Sequence, residues 1–323
     1  MLALYSAPSW DPNQFTGGIS VDYYKQLLED KRRPLVNKVI QGRYPPGSTF
    51  KLATSIIALQ DGMVTPAEHM PVPCNGGYQF GTRYFHCWEP RGHGSLDLAG
   101  AIKHSCDVYF YQLGLKIGLS RLIAGGISLK MRNVTGIDLP EENPPLWPYG
   151  TEYYDKKFGP RRWSNAETLN LAIGQGANSQ TVVNMAEFYT ALANGGTATR
   201  PEIAHLVAQH RAIYKLSPAL QQTLLDGLKA VAEEGGTASA SALHGATAAG
   251  EQAVLAGKTG TAQNPSGKNH GWFVGFAPAD HPRIVVAVLL EFGLEGPRAA
   301  RIASAIISHY LKVTPIRATM DAG

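Results

Sequence analysis

Tyr44-Pro-Pro-Gly-Ser-Thr-Phe-Lys51 opens a run, Ser48 to Asp61, in which Phe50, Leu52, Ala53, Ile56, Ile57 and Leu59 cover most of a helix's circumference. A helix that is apolar nearly all round belongs in the interior. The Pro-Pro-Gly break before it presents the first turn to a surface or cleft, and Gly62 closes it. Ser48 and Lys51 stand three apart, which on a helix places them on one face with roughly 5–6 Å between Cβ atoms. That is the placement of a nucleophile beside its base. The base must be neutral to accept a proton, and burial and the positive helix N-terminus both lower a lysine pKa. S-x-x-K alone is a weak signal that recurs by chance.

Working outward, Leu2 to Ser9 is β-compatible and ends at the turn Asp11-Pro12-Asn13, and Val21 to Asp30 reads as a short helix. Thr65 to Ser95 turns to Pro, Gly, Cys and aromatics, an irregular excursion, before helical spacing returns over Leu96 to Gly118. Gly125 to Arg162 reads as long loops, Leu169 to Ala193 as helix broken at Gly174-Gln175-Gly176, and Pro218 to Glu233 as an amphipathic helix. The C-terminal third changes period: Gly271 to Ala277 and Arg283 to Glu291 form a hairpin around Pro278 to Pro282. Pro297 to Lys312 is a closing helix with Ile302, Ala305, Ile306 and Leu311 on one face, and the tail from Val313 frays. Strands at both ends with helices between them predict an α/β fold of the α+β type, one antiparallel sheet flanked by helices. Residues 1–61 and 235–312 supply the sheet and active-site helix, and 62–234 form a mainly helical subdomain with inserted loops.

The 323 residues carry a net charge of +4 with only 17% charged side chains, and no Lys/Arg run is long enough for nucleic acid. No stretch reaches the roughly 18 consecutive apolar residues of a membrane helix. The three cysteines, Cys74, Cys87 and Cys106, share one region, and their odd number excludes complete intramolecular pairing.

Two further motifs bear chemistry. Ser105-Cys106-Asp107 heads the aromatic segment Val108-Tyr-Phe-Tyr111, and Lys258-Thr259-Gly260-Thr261 precedes the C-terminal hairpin. Singly, Ser105 reads as a helix cap and Lys258 as a solvated strand end. In the order S-x-x-K, S-x-[ND], K-T-G they resemble the active-site triplet of penicillin-binding proteins and serine β-lactamases. Ala3 to Asn13, Leu171-Ala-Ile-Gly-Gln-Gly176 and Trp272-Phe-Val-Gly-Phe-Ala-Pro278 extend the resemblance, nearly end to end, to class B penicillin-binding proteins. Asp107, where division-type members carry Asn, and the segment Tyr153 to Trp163 through Glu167-Thr168 resemble the elongation type, penicillin-binding protein 2.

The resemblance implies a transpeptidase or β-lactamase-like fold and a peptidoglycan D,D-transpeptidase that β-lactams inhibit. It makes Ser48 the nucleophile, neutral Lys51 its base, Ser105 the relay to the leaving D-Ala nitrogen, and Asp107 the residue that orients that loop. Lys258 supplies positive potential, Thr259 and Thr261 bind the donor carboxylate beside Gly260, and the main-chain N–H groups of Ser48 and Thr261 form the oxyanion hole. No catalytic cofactor is implied. The family's membrane anchor and pedestal are absent from these residues, and Leu2 to Ser9 matches the sheet's second strand. The full-length relatives act at the periplasmic face of the inner membrane, with a glycosyltransferase and scaffold proteins of the elongation complex as partners. A D,D-carboxypeptidase, a serine β-lactamase and a non-catalytic β-lactam sensor are the rival readings. For the lactamase, Glu167-Thr-Leu-Asn170 falls one residue short of the E-x-x-L-N pattern.

Cys74, Cys87, His93 and Cys106 make a Cys₃His set, the ligand number and type of a structural zinc site. Some elongation-type relatives look similar, with a cysteine inside S-x-D, an upstream histidine and acidic residues. A Cys74–Cys87 disulfide, natural in an oxidising compartment, and free thiols are the alternatives.

Overall fold

The computed structural model describes residues 1–160, 162–204, 207–264 and 267–315. Residues 1–10 form no strand. This corrects the expectation for Leu2 to Ser9: its alternation is poor, several of its side chains are exposed, and no ladder receives it. Helix α1, Val21–Glu29, starts where the Ser20 hydroxyl accepts the Tyr23 N–H. The Ser48 run begins as a single 3-10 turn, Gly47–Phe50, and becomes α2 only at Lys51–Gln60, with residues 51–59 all buried.

The irregular stretch contains a small hairpin, β1 (Gly77–Phe80) and β2 (Arg83–His86). The next helical run is two helices rather than one, α3 (Leu98–Lys103) and α4 (Asp107–Ile117). They are separated at Ser105, whose φ of 54° is left-handed. A non-glycine residue held there costs energy that the surrounding contacts must offset. Helix α5 (Leu119–Ser128) runs into the segment expected to be loop, and that segment also holds α6 (Glu152–Phe158). Helices α7 (Ala166–Ala172) and α8 (Val182–Ala193) flank the Gly-Gln-Gly break. A short pair β3 (Thr197–Thr199) and β4 (His210–Ala212) leads to α9, Pro218–Ala230, capped by Ser217 with Pro218 in its first turn.

The main sheet is C-terminal: β6 (Ala256–Ala262), β7 (His270–Ala277) and β8 (Ile284–Leu290) run antiparallel in that order. It follows a two-residue strand β5 (Leu243–His244). Among the described residues, 1–61 therefore contribute the Ser48 turn but no strand of it. Helix α10, Gly296–Leu311, packs on all three strands, and α8 packs on β7 and β8. Ala299, Ala300, Ala303, Ile307 and Leu311 are buried, whereas Ile302 and Ile306 are 43% and 45% exposed. The helix thus turns its small residues to the sheet, where they permit close approach, and the expected Ile302–Ile306 face points outward. The start of the tail, β9 (Thr314–Pro315), pairs with β5 instead of fraying; residues 316–323 lie outside the described residues.

Candidate active site

The turn that carries Ser48 is held from several sides. Tyr44 exchanges main-chain hydrogen bonds with Gln180, and the Trp272 indole of β7 donates to the Pro45 carbonyl at 2.9 Å. The Thr49 hydroxyl donates to the Pro46 carbonyl at 2.8 Å. Gly47 donates to the Gly174 carbonyl, and a Cβ on Gly174 would lie 2.2 Å from the Gly47 oxygen, which accounts for the first glycine of Gly-Gln-Gly. Strand β6 approaches as closely: a Cβ on Gly260 would meet the Pro46 oxygen at 2.9 Å. The main chain of the Lys-Thr-Gly-Thr strand therefore lies against the turn that carries Ser48.

Ser48 is half-buried, and its hydroxyl makes no hydrogen bond among the described residues. One 3-10 turn later Lys51 is fully buried, and in such a turn residues three apart eclipse one another. Its amine donates to the Ser105 carbonyl at 2.7 Å, the Ser105 hydroxyl at 3.3 Å and Asp107 Oδ1 at 2.7 Å. The left-handed turn at Ser105 brings both its carbonyl and its hydroxyl to that amine. Asp107 was expected only to orient the loop, yet it is the direct ion-pair partner of Lys51. Burial pushes its carboxyl above the ordinary range, and the Lys51 charge opposes that.

On β6, Lys258 is also fully buried. Burial, then the neighbouring Lys51 charge, push its amine well below the ordinary lysine value, with Asp107 acting the other way. An incoming carboxylate would favour its charged form. The Thr259 hydroxyl lies 2.6 Å from that of Thr237, while exposed Thr261 accepts the Gly296 N–H at 3.4 Å. Thr237 was missed in the sequence. Its one signal was Gly235-Gly236, just beyond the helix expected over Pro218 to Glu233.

Behind the Ser105 turn, Cys74, Cys87, His93 and Cys106 converge, with their ligand atoms all within 4.8 Å of one another. His93 Nδ1 lies 3.6 Å from both Cys74 Sγ and Cys87 Sγ. Bond lengths of about 2.3 Å for Zn–S and 2.0–2.1 Å for Zn–N at a tetrahedral angle give an S···N edge of about 3.6 Å. The donor set and its spacing fit one zinc ion. All three cysteines are free thiols in this structure. The backbone makes this convergence: Cys74 exchanges main-chain bonds with Gly94, and Cys87 donates to Gly76. Clustered thiols cannot all ionise without a cation. Cys106 is pushed up, first by its hydrogen bond to Cys87 and then by burial, whereas Cys87 is drawn down chiefly by Cys106.

Trp88 links this cluster to the Lys51 site. Its main-chain N–H donates to Asp107 Oδ2 at 3.2 Å, and its indole N–H donates to the His104 carbonyl at 3.0 Å.

A Ser-x-x-Lys turn packed beneath a Lys-Thr-Gly strand, with a Ser-x-Asp turn on the lysine, is the arrangement of the penicillin-binding transpeptidase class. Residues 1–308 match the penicillin binding protein transpeptidase domain, and the chain belongs to that family. It is 32% identical to the peptidoglycan D,D-transpeptidase MrdA of Haemophilus influenzae over 96% of this chain and 51% of the relative. Among solved structures it superposes on the complex between PBP2 and MreC from Helicobacter pylori with a TM-score of 0.85. Identity there is 30%, covering 95% of this chain and 57% of the other. On the imipenem acyl-enzyme of penicillin-binding protein A from Mycobacterium tuberculosis the TM-score is 0.74 at 25% identity, covering 95% and 70%. The chain spans about half the length of the MrdA relatives it matches.

Proposed function

We propose that this chain is the transpeptidase portion of an elongation-type penicillin-binding protein that cross-links peptidoglycan stem peptides through an acyl-enzyme on Ser48. The observation that carries the reading is the placement of Lys51, one turn after Ser48, with its amine on both Ser105 and Asp107. Lys51, neutral once its paired proton has passed to Asp107, takes the Ser48 proton as Oγ attacks the carbonyl between the two terminal D-alanines. The proton passes through the Ser105 hydroxyl to the departing D-Ala nitrogen. An acceptor amine then attacks the ester, forming the new amide, and its proton returns along the same path to Ser48. Main-chain N–H groups of Ser48 and Thr261 stabilise the oxyanion; one such donor contributes about 2.7–4 kcal/mol in related acyl transfer. Thr237, Thr259, Thr261 and Lys258, with Gly260 keeping the strand close, hold the terminal carboxylate. Cys74, Cys87, His93 and Cys106 would hold a structural zinc that ties the loop carrying Ser105 and Asp107 to the 74–94 excursion. The reaction itself uses no cofactor. In the cell the site would face the periplasm at the inner membrane and work beside a glycosyltransferase and scaffold proteins of elongation.

A synthetic pentapeptide ending in D-Ala-D-Ala, incubated with a D-amino acid as acceptor, tests the activity by mass spectrometry. Exchange of the terminal D-Ala for the acceptor is expected. Release of D-Ala to water alone would make it a carboxypeptidase, and no peptide reaction despite a stable β-lactam adduct would leave a sensor. Rapid turnover of a β-lactam would mean a lactamase; no hydrogen bond joins Glu167 to Ser48 or Lys51 among the described residues.

Lys258 has a pH signature. Its amine pKa lies well below the ordinary value in the free protein, so positive charge is lost as pH rises through that depressed pKa. Acylation by an anionic β-lactam should therefore fall along a descending alkaline limb. Lys258→Arg, always charged, should retain acylation and flatten that limb, and Lys258→Ala should lose most acylation. An identical limb in the Arg variant would assign it to another group.

Trp88→Phe keeps the ring and the main-chain N–H and removes only the indole donor to His104, a bond of about 1 kcal/mol. A several-fold slower acylation is expected with metal content unchanged. Acylation at the parent rate would show that the main-chain bond to Asp107 suffices.

A further inference from the structure

The sequence holds two Asn-Gly pairs, Asn75-Gly76 and Asn194-Gly195. Such a pair is open to an intramolecular reaction, because no Cβ shields the glycine nitrogen from the asparagine amide carbon. Asn194 caps the end of α8, whereas Asn75 directly follows Cys74.

Gly76 leaves no room for a shielding side chain. Its φ is 92°, and a Cβ there would lie 2.1 Å from the Pro90 carbonyl oxygen. The facing chain is as close: a Cβ on Gly92 would lie 2.0 Å from the Cys74 oxygen and 2.6 Å from the Asn75 Cα. Residues 74–76 and 90–92 thus pack main chain on main chain, and both sides require glycine.

The same contacts join the pair to the Cys₃His set. Cys74 Sγ accepts the main-chain N–H groups of Gly76 and His93. The Gly76 carbonyl accepts the Cys87 N–H at 2.8 Å, and Cys74 exchanges main-chain bonds with Gly94. Exposed Asn75 therefore stands between one ligand and a glycine bonded to two. Cyclisation needs the Gly76 nitrogen to leave the Cys74 sulfur and turn onto Asn75 Cγ, to the roughly 3–3.5 Å of a near-attack geometry. A zinc ion that fixes Cys74, Cys87 and His93 opposes that rotation. Without the ion, hydrogen bonds alone hold the turn.

We propose that Asn75 is a metal-gated modification site, whose amide is preserved while zinc is on the cluster and which converts irreversibly to isoaspartate once zinc is lost. The Gly76 nitrogen bonds to Asn75 Cγ, the Cγ–Nδ2 bond breaks, and ammonia leaves with the Gly76 proton. Water then opens the ring. Attack at the Asn75 main-chain carbonyl leaves isoaspartate, and attack at Cγ leaves aspartate. Isoaspartate adds a methylene to the main chain between Cys74 and Gly76. That displaces the Gly76 N–H from Cys74 and its carbonyl from Cys87, so the cluster no longer reassembles around a new ion. The inference rests on the zinc reading of Cys74, Cys87, His93 and Cys106 and not on the acyl-transfer chemistry.

The test incubates zinc-loaded and chelator-stripped protein side by side in mildly alkaline buffer, with peptide mapping by mass spectrometry at both Asn-Gly pairs. Asn75 should lose its amide at least tenfold faster in the stripped sample, and Asn194 at the same rate in both. Aged stripped protein should fail to take up zinc again. The Asn75→Gln variant, whose longer side chain cyclises far more slowly, should take it up fully after the same treatment. Equal Asn75 rates in samples whose measured zinc contents differ overturn the inference and leave the zinc reading standing. Equal acceleration at Asn194 overturns it too, since the stripped chain would then have unfolded as a whole. Protein that neither contains nor binds zinc overturns both.

Discussion

Ser48→Ala is expected to erase the covalent adduct that a fluorescent penicillin leaves on this protein while its melting temperature stays where it was. Ser48 is the one serine with a lysine three residues later. Its hydroxyl supports no hydrogen bond among the described residues, so its removal should alter stability by no more than about 0.5 kcal/mol. Intact-mass measurement after β-lactam treatment reads the result directly, and undiminished labelling of the variant would sink the assignment. Lys51→Ala should differ in kind. Loss of the base slows acylation by about 10²–10⁴. It also strands the Asp107 carboxylate without its ion-pair partner in a buried site, at a cost of about 3–5 kcal/mol. The two variants together separate a residue that only reacts from one that reacts and supports.

Protein purified without chelator is expected to contain one zinc per chain, and stripping it should lower both the melting temperature and the acylation rate. Without the ion, three buried thiols and an imidazole crowd within 4.8 Å. Cys106 lies between Ser105 and Asp107, and Cys87 precedes Trp88, which binds Asp107. Loss of the ion should therefore loosen the loop that meets Lys51. Cobalt substitution supplies a readout apart from activity, since a tetrahedral thiolate site gives intense charge-transfer bands, and Cys106→Ser should weaken them. Metal-free protein with three titratable thiols would end the zinc reading, and a single titratable thiol would establish the disulfide.

The triplet of motifs was legible because each is short and each places its residues by local backbone geometry: three apart on one turn, or successive on one strand. The Cys₃His set was legible by chemistry, since few other uses gather every cysteine of a chain around one histidine in an irregular stretch. Leu2 to Ser9 misled because β-compatible composition does not supply a partner, and pairing is non-local. The closing helix misled for a related reason. Period 3.6 offers Ile302 and Ile306 as a face, but close packing on the sheet selected the neighbouring stripe of alanines.

By itself the sequence determined the buried helix after Ser48, the C-terminal hairpin, the three motifs that meet at Lys51 and Lys258, and the gathering of the cysteines with His93, all of which depend on residue type at fixed short spacing. Only the tertiary structure decided that Asp107 pairs with Lys51, that Thr237 meets Thr259, and that Trp88 joins the cysteine cluster to the lysine. Each of these joins segments far apart in the chain. Such contacts are chosen by which surfaces exclude water together, and no local pattern of residues records that choice.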